Sequence, residues 1–455
     1  MIAKDKHFYK TMLFIALPIA AQNLITFLVN LLDTLMISQL GEDSLSGVQL
    51  AGQLFFILIL ISGGIGEGIN ILIAQYYGKQ EMGSIRKIYP IAYRVALFVG
   101  FLGFLIGNFF PETFIRFYAK ADDVKAIEEG TKYLQIVSLS YIPFILSEVT
   151  IRSMRAVKSA YVAMPIYFIS FVINASLNYI LIFGKLGFPE LGVQGAAIGT
   201  VCARTTELIL ASIYLFRIDK KIQLKLVDLR SIDKAIRKKL VTFAAPILCN
   251  EIVWVLASTT IALIFAKMGK QYVAANAVSS IMFQLVSMLL FGMGSAASVT
   301  IGNVIGKGDP KQAYTYANTF MLISICIGLL SSTLVYHLKD FAITLYNLTP
   351  ETAIIAQDVI TAASLLLFLQ SFNIISGMGA LRGGGDGKFV LISEITFVWL
   401  IAVPFGFLSA FYWKLPVFWI VLLSKGDEIL KFLTFGSRIL FTKWVKDVTI
   451  EEEKT

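Results

Sequence analysis

Residues Gly63–Lys79 read GGIGEGINILIAQYYGK, and residues Phe291–Lys307 read FGMGSAASVTIGNVIGK. Gly64, Gly66, Ile73, Gly78 and Lys79 recur as Gly292, Gly294, Ile301, Gly306 and Lys307, at a constant spacing of 228 residues. Carried outward without a gap, the same offset pairs Pro18 with Pro246 and Gly41 with Gly269. The chain is one unit written twice. Glycines at such positions let helices approach closely in lipid or bend where neighbours resatisfy the backbone. Gly64, Gly66, Gly292 and Gly294 are therefore candidate contact or bend points. Glu67 stands among them with Ser295 as its repeat mate, so the repeat itself demands no charge there.

Composition sets the solvent. The 455 residues are 57% hydrophobic and only 15% charged, with a mean hydropathy of +0.75. A soluble domain carries about 25% charged residues. A helix crossing a bilayer needs roughly 20 apolar residues, and runs of that length fill nearly the whole chain. Twelve spans are expected, from Met12 to Phe441. The first apolar run continues to about Ser38 with no small-residue cleavage site, so it reads as a span and not as a signal peptide. Cys202, Cys249 and Cys326 fall within spans, far apart and without metal spacing, and read as small core residues.

The net charge of +9 does not indicate nucleic acid, because the basic residues follow the topology. With the N-terminus in the cytoplasm, the cytoplasmic segments hold 26 of the 39 Lys and Arg and the outer segments nine. Lys and Arg in short loops orient membrane helices this way. Both termini are then expected inside a cell (inner, plasma) membrane. The segment Arg217–Lys239 holds nine basic residues and three aspartates. It reads as a cytoplasmic connector lying on anionic lipid.

The expected fold is all-α integral membrane, with twelve transmembrane helices in two six-helix bundles related by pseudo-twofold symmetry. Residues 1–216 form the N-terminal lobe, 217–240 the connector, 241–441 the C-terminal lobe and 442–455 a cytoplasmic tail. An even number of spans per copy gives both copies the same orientation. Parallel repeats of this kind mark secondary transporters that rock around a site at the repeat interface. No catalytic motif competes with that reading. There is no GxxxxGK[ST] loop, no HExxH and no GxSxG with partners. His7 and His337 lie near span ends, so an embedded proton carrier would be a carboxylate. No cofactor and no metal cluster is expected.

The residues also resemble the multidrug and toxic compound extrusion (MATE) transporters. The likeness is carried by LPIAAQNLITFLVNLLDTLMISQLG at Leu17–Gly41, AQYYGK closing the second span, and NASLNYILIFG with Asn174 and Asn178. It continues in LGVQGAAIGT at Leu191–Thr200, APILCNE in the second copy, and ALRGGGDGKF. It covers almost the whole chain. The resemblance implies cation-coupled export of amphipathic, often cationic, organic compounds, by a protein functional as a monomer in the lipid bilayer. It assigns the acidic residue of the first span to Asp33 and the polar pair of the fifth to Asn174 and Asn178. Many proton-coupled members have aspartate where this chain has Asn178. In sodium-coupled members a tenth-span aspartate falls where this chain has Ser371. Their seventh-span glutamate falls near Trp254, whereas Glu251 stands about one turn earlier.

Embedded charge is costly, so each case needs a reason. Asn23, Thr26, Asn30 and Asp33 share one helical stripe by spacing. Asp33, with Asn30, Asn174 and Asn178, is the candidate site for the coupling ion, a proton first and sodium as the alternative. Glu251, with Asn250 and Trp254 beside it, suits an organic cation by charge and cation–π contact, and Glu67 is a further candidate cavity residue. Glu148 with Arg152, and Arg204 with Glu207, read as local ion pairs. Asp427, Glu428 and Lys431 read as a structural network. The competing reading is a flippase for a lipid-linked precursor, whose cavity should be strongly basic. The residues expected on cavity faces, Asp33, Glu67 and Glu251, are acidic.

Overall fold

The structure, a computed structural model, describes residues 2–119, 123–230, 232–346 and 348–450. Among these residues there are only helices, turns and loops. Eleven helices or helix pairs are long and apolar enough to cross a membrane. The expected twelfth span is broken: α15 (Val417–Ser424) and α16 (Asp427–Phe441) are separated by Lys425 and Gly426. The other helices that matter here are α1 (Lys6–Ser38), α2 (Glu42–Gly78), α3 (Met82–Phe109), α5 (Val124–Val137), α6 (Tyr141–Ala156), α7 (Ala163–Ile182) and α8 (Val193–Ile213) in the first copy. In the second copy they are α9 (Lys234–Met268), α10 (Lys270–Gly306), α11 (Pro310–Leu345), α12 (Pro350–Asn373) and α13 (Gly387–Phe397). Two further short α-helices are α4 (Pro111–Tyr118) and α14 (Val403–Phe407). Large apolar side chains such as Phe98, Leu330 and Leu400 are well exposed on span surfaces, which suits a lipid solvent.

Packing groups the chain into two compact units. The first comprises Met1–Ala20, Ala74–Gln80 and Ala245–Thr455, and the second Ala21–Ile73 and Glu81–Ala244. Three helices thus change unit along their length. α1 changes just after Pro18 and α9 just before Pro246, both prolines inside their helices. A helix-interior proline removes one backbone hydrogen bond and clashes with the preceding turn, so α1 and α9 carry a weak point where their surroundings change. α2 changes unit without a break at Ile73.

In the second unit, α8 lies tightly on α7. The cause is the GxxxG of LGVQGAAIGT: a Cβ on Gly195 would stand 2.6–2.8 Å from the backbone of Leu181 and Ile182, and one on Gly199 would overlap the Asn178 amide. Small residues four apart permit this approach. The glycines of α2 serve contacts as well. Gly66 leaves room for the Arg152 side chain, and Gly68 for the backbone of Ala244. The connector does not simply lie on lipid. Arg86 Nε donates to the Ile222 carbonyl at 2.7 Å, Lys87 meets Asp233 at 3.0 Å, and Lys221 Nζ donates to the carbonyls of Val157 and Lys158.

In the first unit, α9, α10, α11, α12 and α15 share an apolar core around Phe265, Leu290, Val359, Ile360 and Val421. A Cβ on Gly292 would stand 2.7 Å from the Ala16 carbonyl oxygen of α1, so the glycine permits that approach. The last turns of α2 and α10 cross in a reciprocal way. Gly78 lies against Asn303, and Gly306 lies against Gln75. Gln75 and Asn303 are themselves mates in the 228-residue repeat. Gly302 faces its own mate, Ala74, whose Cβ would lie 3.1 Å from a Cβ added at Gly302. A contact between each residue and its own mate, flanked by exchanged partners, is what an isologous twofold crossing produces. The cysteine expectation needs correction: Cys249 and Cys326 are exposed on span surfaces and Cys202 is half-buried. Helix faces in lipid need no polar residue, so a small apolar thiol is tolerated there as well as in a core.

Candidate functional site

The second unit encloses a cavity of about 310 Å³, bounded by α1, α2, α5, α6, α7 and α8. That volume lies at the lower end for a small-molecule site. Asp33 and Asn30 of α1 and Asn174 of α7 line it. Asn178, fully buried, donates from Nδ2 to Asp33 Oδ1 at 2.6 Å and to Asn174 Oδ1 at 3.4 Å. Asn174 Nδ2 in turn reaches Thr200 Oγ1 of α8 at 3.5 Å. The GxxxG approach of α8 brings Thr200 there. Asp33, Asn30, Asn174 and Asn178 therefore meet around one cavity, as a stripe on α1 facing a stripe on α7.

The opposite wall was not evident from the sequence as a cavity wall. Arg204 and Glu207 form the ion pair that their spacing suggests, at 2.9 and 3.0 Å. Both also line the cavity. The Arg204 guanidinium sits 5.1 Å over the Phe144 ring and 5.8 Å over Phe55, within cation–π range. Glu207 is buried and also accepts from Ser170 Oγ at 2.8 Å. Tyr133, Tyr141 and Tyr167 complete an aromatic lining. The Tyr141 hydroxyl is buried with no hydrogen-bond partner among the described residues. Thr200, Arg204 and Glu207 stand four and three apart on α8, the same signal that identified the α1 stripe.

Glu67 does not line this cavity. Its carboxylate lies 3.8 Å from Arg152 Nη1 and accepts from Asn70 at 3.2 Å. Arg152 is shared with Glu148 at 3.0 Å, and Glu148 also accepts from Tyr167. The charge among the α2 glycines is thus one corner of a half-buried network, and Gly66 makes the space for its arginine.

In the first unit Glu251 is held by Arg382 at 3.0 Å, and the arginine side chain is only 3% exposed. Asn250 is buried and its Oδ1 has no partner among the described residues, while Trp254 is 46% exposed. Ser371, at the position of the sodium-coupled aspartate, is fully buried and donates to the Ser324 carbonyl at 3.1 Å. That bond joins α12 to α11. Lys431 gathers Asp427, Glu428 and Glu394 at 2.7, 3.2 and 3.6 Å, and Asn373 donates to the Glu428 carboxylate. The expected network at Asp427–Lys431 is present and is larger by Glu394 and Asn373.

Comparison with known proteins bears on this geometry. The probable multidrug resistance protein NorM of Rhizobium meliloti (strain 1021) is 25% identical over 415 residues, covering 90% of this chain and 87% of that protein. The multidrug resistance protein MdtK of Yersinia pseudotuberculosis serotype O:1b (strain IP 31758) is 23% identical over 400 residues, covering 88% and 87%. A solved structure described as the outward-facing conformation of a multidrug resistance MATE family transporter of the MOP superfamily superposes with a TM-score of 0.85. It is 20% identical and covers 96% of this chain and 98% of that one. The MatE family model matches twice, over residues 18–180 and 246–408, and the two matches are offset by the same 228 residues as the glycine frame. With two copies of the family unit in register across most of its length, this chain belongs to the MatE family of membrane transporters.

Proposed function

We propose that the protein exports small amphipathic organic compounds, cationic ones among them, in exchange for a coupling cation, by alternating access in an inner (plasma) membrane with both termini in the cytoplasm. The multidrug names of its relatives support the cargo. The observation that carries the coupling is the bond from Asn178 to Asp33 at the wall of the second-unit cavity. Asp33 is the group that takes up and releases the proton. Its neutral and ionised forms need different neighbours, and the amides of Asn174 and Asn178 can each present a donor or an acceptor. Exchange of a proton at Asp33 then biases a two-state bundle by the difference in those bonds. Sodium is the alternative coupling ion. The proton is favoured because Ser371 offers no charge in the first unit. A lipid-precursor flippase is disfavoured because the cavity has two carboxylates, Asp33 and Glu207, and its one arginine is already paired.

Purified protein in liposomes, with pH and sodium gradients imposed separately, tests the reading. Wild type should move ethidium under a pH gradient. Asp33→Asn should remain folded, still bind ethidium and lose the response to the gradient. PH-driven transport by the Asn variant at the wild-type rate would sink the role of Asp33. Orientation is tested by a single cysteine in the connector of intact cells. It should resist an impermeant thiol reagent, and labelling from outside reverses the topology.

A further inference from the structure

By composition the segment after Phe441, TKWVKDVTI, resembles a solvated tail. In the structure it is a strap. Trp444 is fully buried, its Nε1 donates to the Ile439 carbonyl at 3.2 Å, and its ring covers Gly384, where no side chain would fit. Lys446 N donates to the Gly384 carbonyl at 2.8 Å. Val448, 2% exposed, packs on Gly385, whose φ of +84° favours glycine at that turn. Asp386 anchors the same turn through Arg438 at 2.8 Å and Lys446 at 2.9 Å. The strap thus lies on the LRGGGDG turn, and the unusual run of glycines is what lets it do so.

The strap also grips α2. Gln75 is fully buried and its amide is used at both ends. Nε2 donates to the carbonyls of Gly383 at 3.4 Å and Lys446 at 3.2 Å, and Oε1 accepts from Val448 N at 2.8 Å. Lys79 meets Asp447 at 3.2 Å. This is the turn of α2 that crosses α10 through Gly78 and Gly306. The arrangement departs from the repeat: the mate of Gln75, Asn303, donates instead to the Val299 carbonyl of its own helix at 2.7 Å. α2 is one continuous helix of 37 residues. All of it before Ala74 packs in the second unit, and only its last turns are held here.

We propose that residues Trp444–Thr449 form a latch that clamps the last turn of α2 to the Gly383–Asp386 turn, and that each transport cycle requires the latch to release. The inference rests on the membership of a transporter family and on movement of α2 during transport. It does not rest on the assignment of Asp33. α2 is divided between the two units, so a rearrangement during transport displaces its last turns, and the strap, together with the α10 crossing at Gly78 and Gly306, opposes that displacement.

The test uses the full chain with Cys202, Cys249 and Cys326 replaced by serine. Lys79→Cys and Asp447→Cys are introduced together and bridged by a short, reducible bis-methanethiosulfonate reagent. Bridging should lower ethidium transport in liposomes at least tenfold, and reduction should restore it. Single-cysteine variants treated with the same reagent should keep their rate. Transport at the unbridged rate by fully bridged protein overturns the proposal. Hydrogen exchange gives a readout that needs no substrate. Bridging should slow exchange of residues 74–80 at least tenfold, and Trp444→Ala should speed it by a similar factor while residues 42–73 stay unchanged. If neither change alters exchange at 74–80, the latch is absent. If ethidium is not moved by the unbridged protein but exchange responds as stated, the cargo reading fails and the latch stands.

Discussion

At the scale of single residues, the cavity depends on what Gly199 lacks. The Asn178 amide occupies the space a Cβ would need, and that same amide holds Asp33. Gly199→Ala should therefore force α8 away from α7, cost about 1–3 kcal/mol by overpacking and lower the melting temperature in detergent. Gly63→Ala, with open space around its Cβ, should be neutral or stabilising by roughly 0.5–1 kcal/mol. Equal melting temperatures for the two variants would remove the α7–α8 contact from the explanation. Glu251 calls for a different experiment than its sequence context suggested. Its charge is paired with a buried arginine, and removing one partner of such a pair destabilises by about 3–5 kcal/mol when both are buried. Glu251 is 21% exposed on its side chain, so Glu251→Gln should lie at or below the lower end. Transport of cationic and neutral compounds should fall together, and Arg382→Met added to Glu251→Gln should recover part of the stability. A loss confined to cationic cargo would return Glu251 to substrate binding. The α1 and α7 stripes were legible because polar residues at helical spacing in lipid have few places to point. The pairing of Glu251 with Arg382 was not, because 131 residues separate them and no local pattern joins them.

At the scale of elements, the start of α9 shows how the connector is tied down. Asp233 accepts from the backbone N–H of Ala235 at 2.9 Å and of Ile236 at 3.2 Å, and Lys87 of α3 donates to it at 3.0 Å. The Lys87 ammonium and these N–H groups hold the Asp233 carboxyl below its ordinary range. A lowered folded-state pKa means that the stabilisation is complete above the ordinary carboxylate pKa and is lost as pH falls through the lowered one. Asp233→Asn should thus be less stable than wild type near neutral pH, and the two melting curves should converge under acid conditions. A difference that persists unchanged to the acid limit would show that the cap, and not the charge, holds α9. The connector reads in sequence as a basic segment lying on anionic lipid, but its carbonyls at Ile222 and Arg230 are engaged by Arg86 and Arg94. Such bonds follow from where the first half of α3 lies in space, and composition contains no trace of them. The break in the last span at Lys425–Gly426 differs: it falls in Ser424–Glu428, SKGDE, where the apolar run itself is interrupted by charge and a glycine.

At the scale of the whole molecule, the repeat is the feature that the sequence displayed most fully, and it has a physical consequence at one point. Where α2 and α10 cross, Gly78 needs the space beside Asn303 and Gly306 needs the space beside Gln75. Residues related by the repeat thus serve the same contact from both sides. Alanine at either position places a methyl group against backbone, which cannot yield as a flexible side chain can. Each of Gly78→Ala and Gly306→Ala should destabilise by about 1–3 kcal/mol. Once one methyl group has pushed the helices apart, the second meets a wider gap. The double variant should therefore fall short of the sum, by the coupling of 0.5 kcal/mol or more that contacting residues typically show. Melting temperatures of the four proteins in one detergent, converted with a common unfolding enthalpy, measure that coupling. Strict additivity would mean that the two glycines relieve separate clashes and that the crossing is not one shared twofold contact.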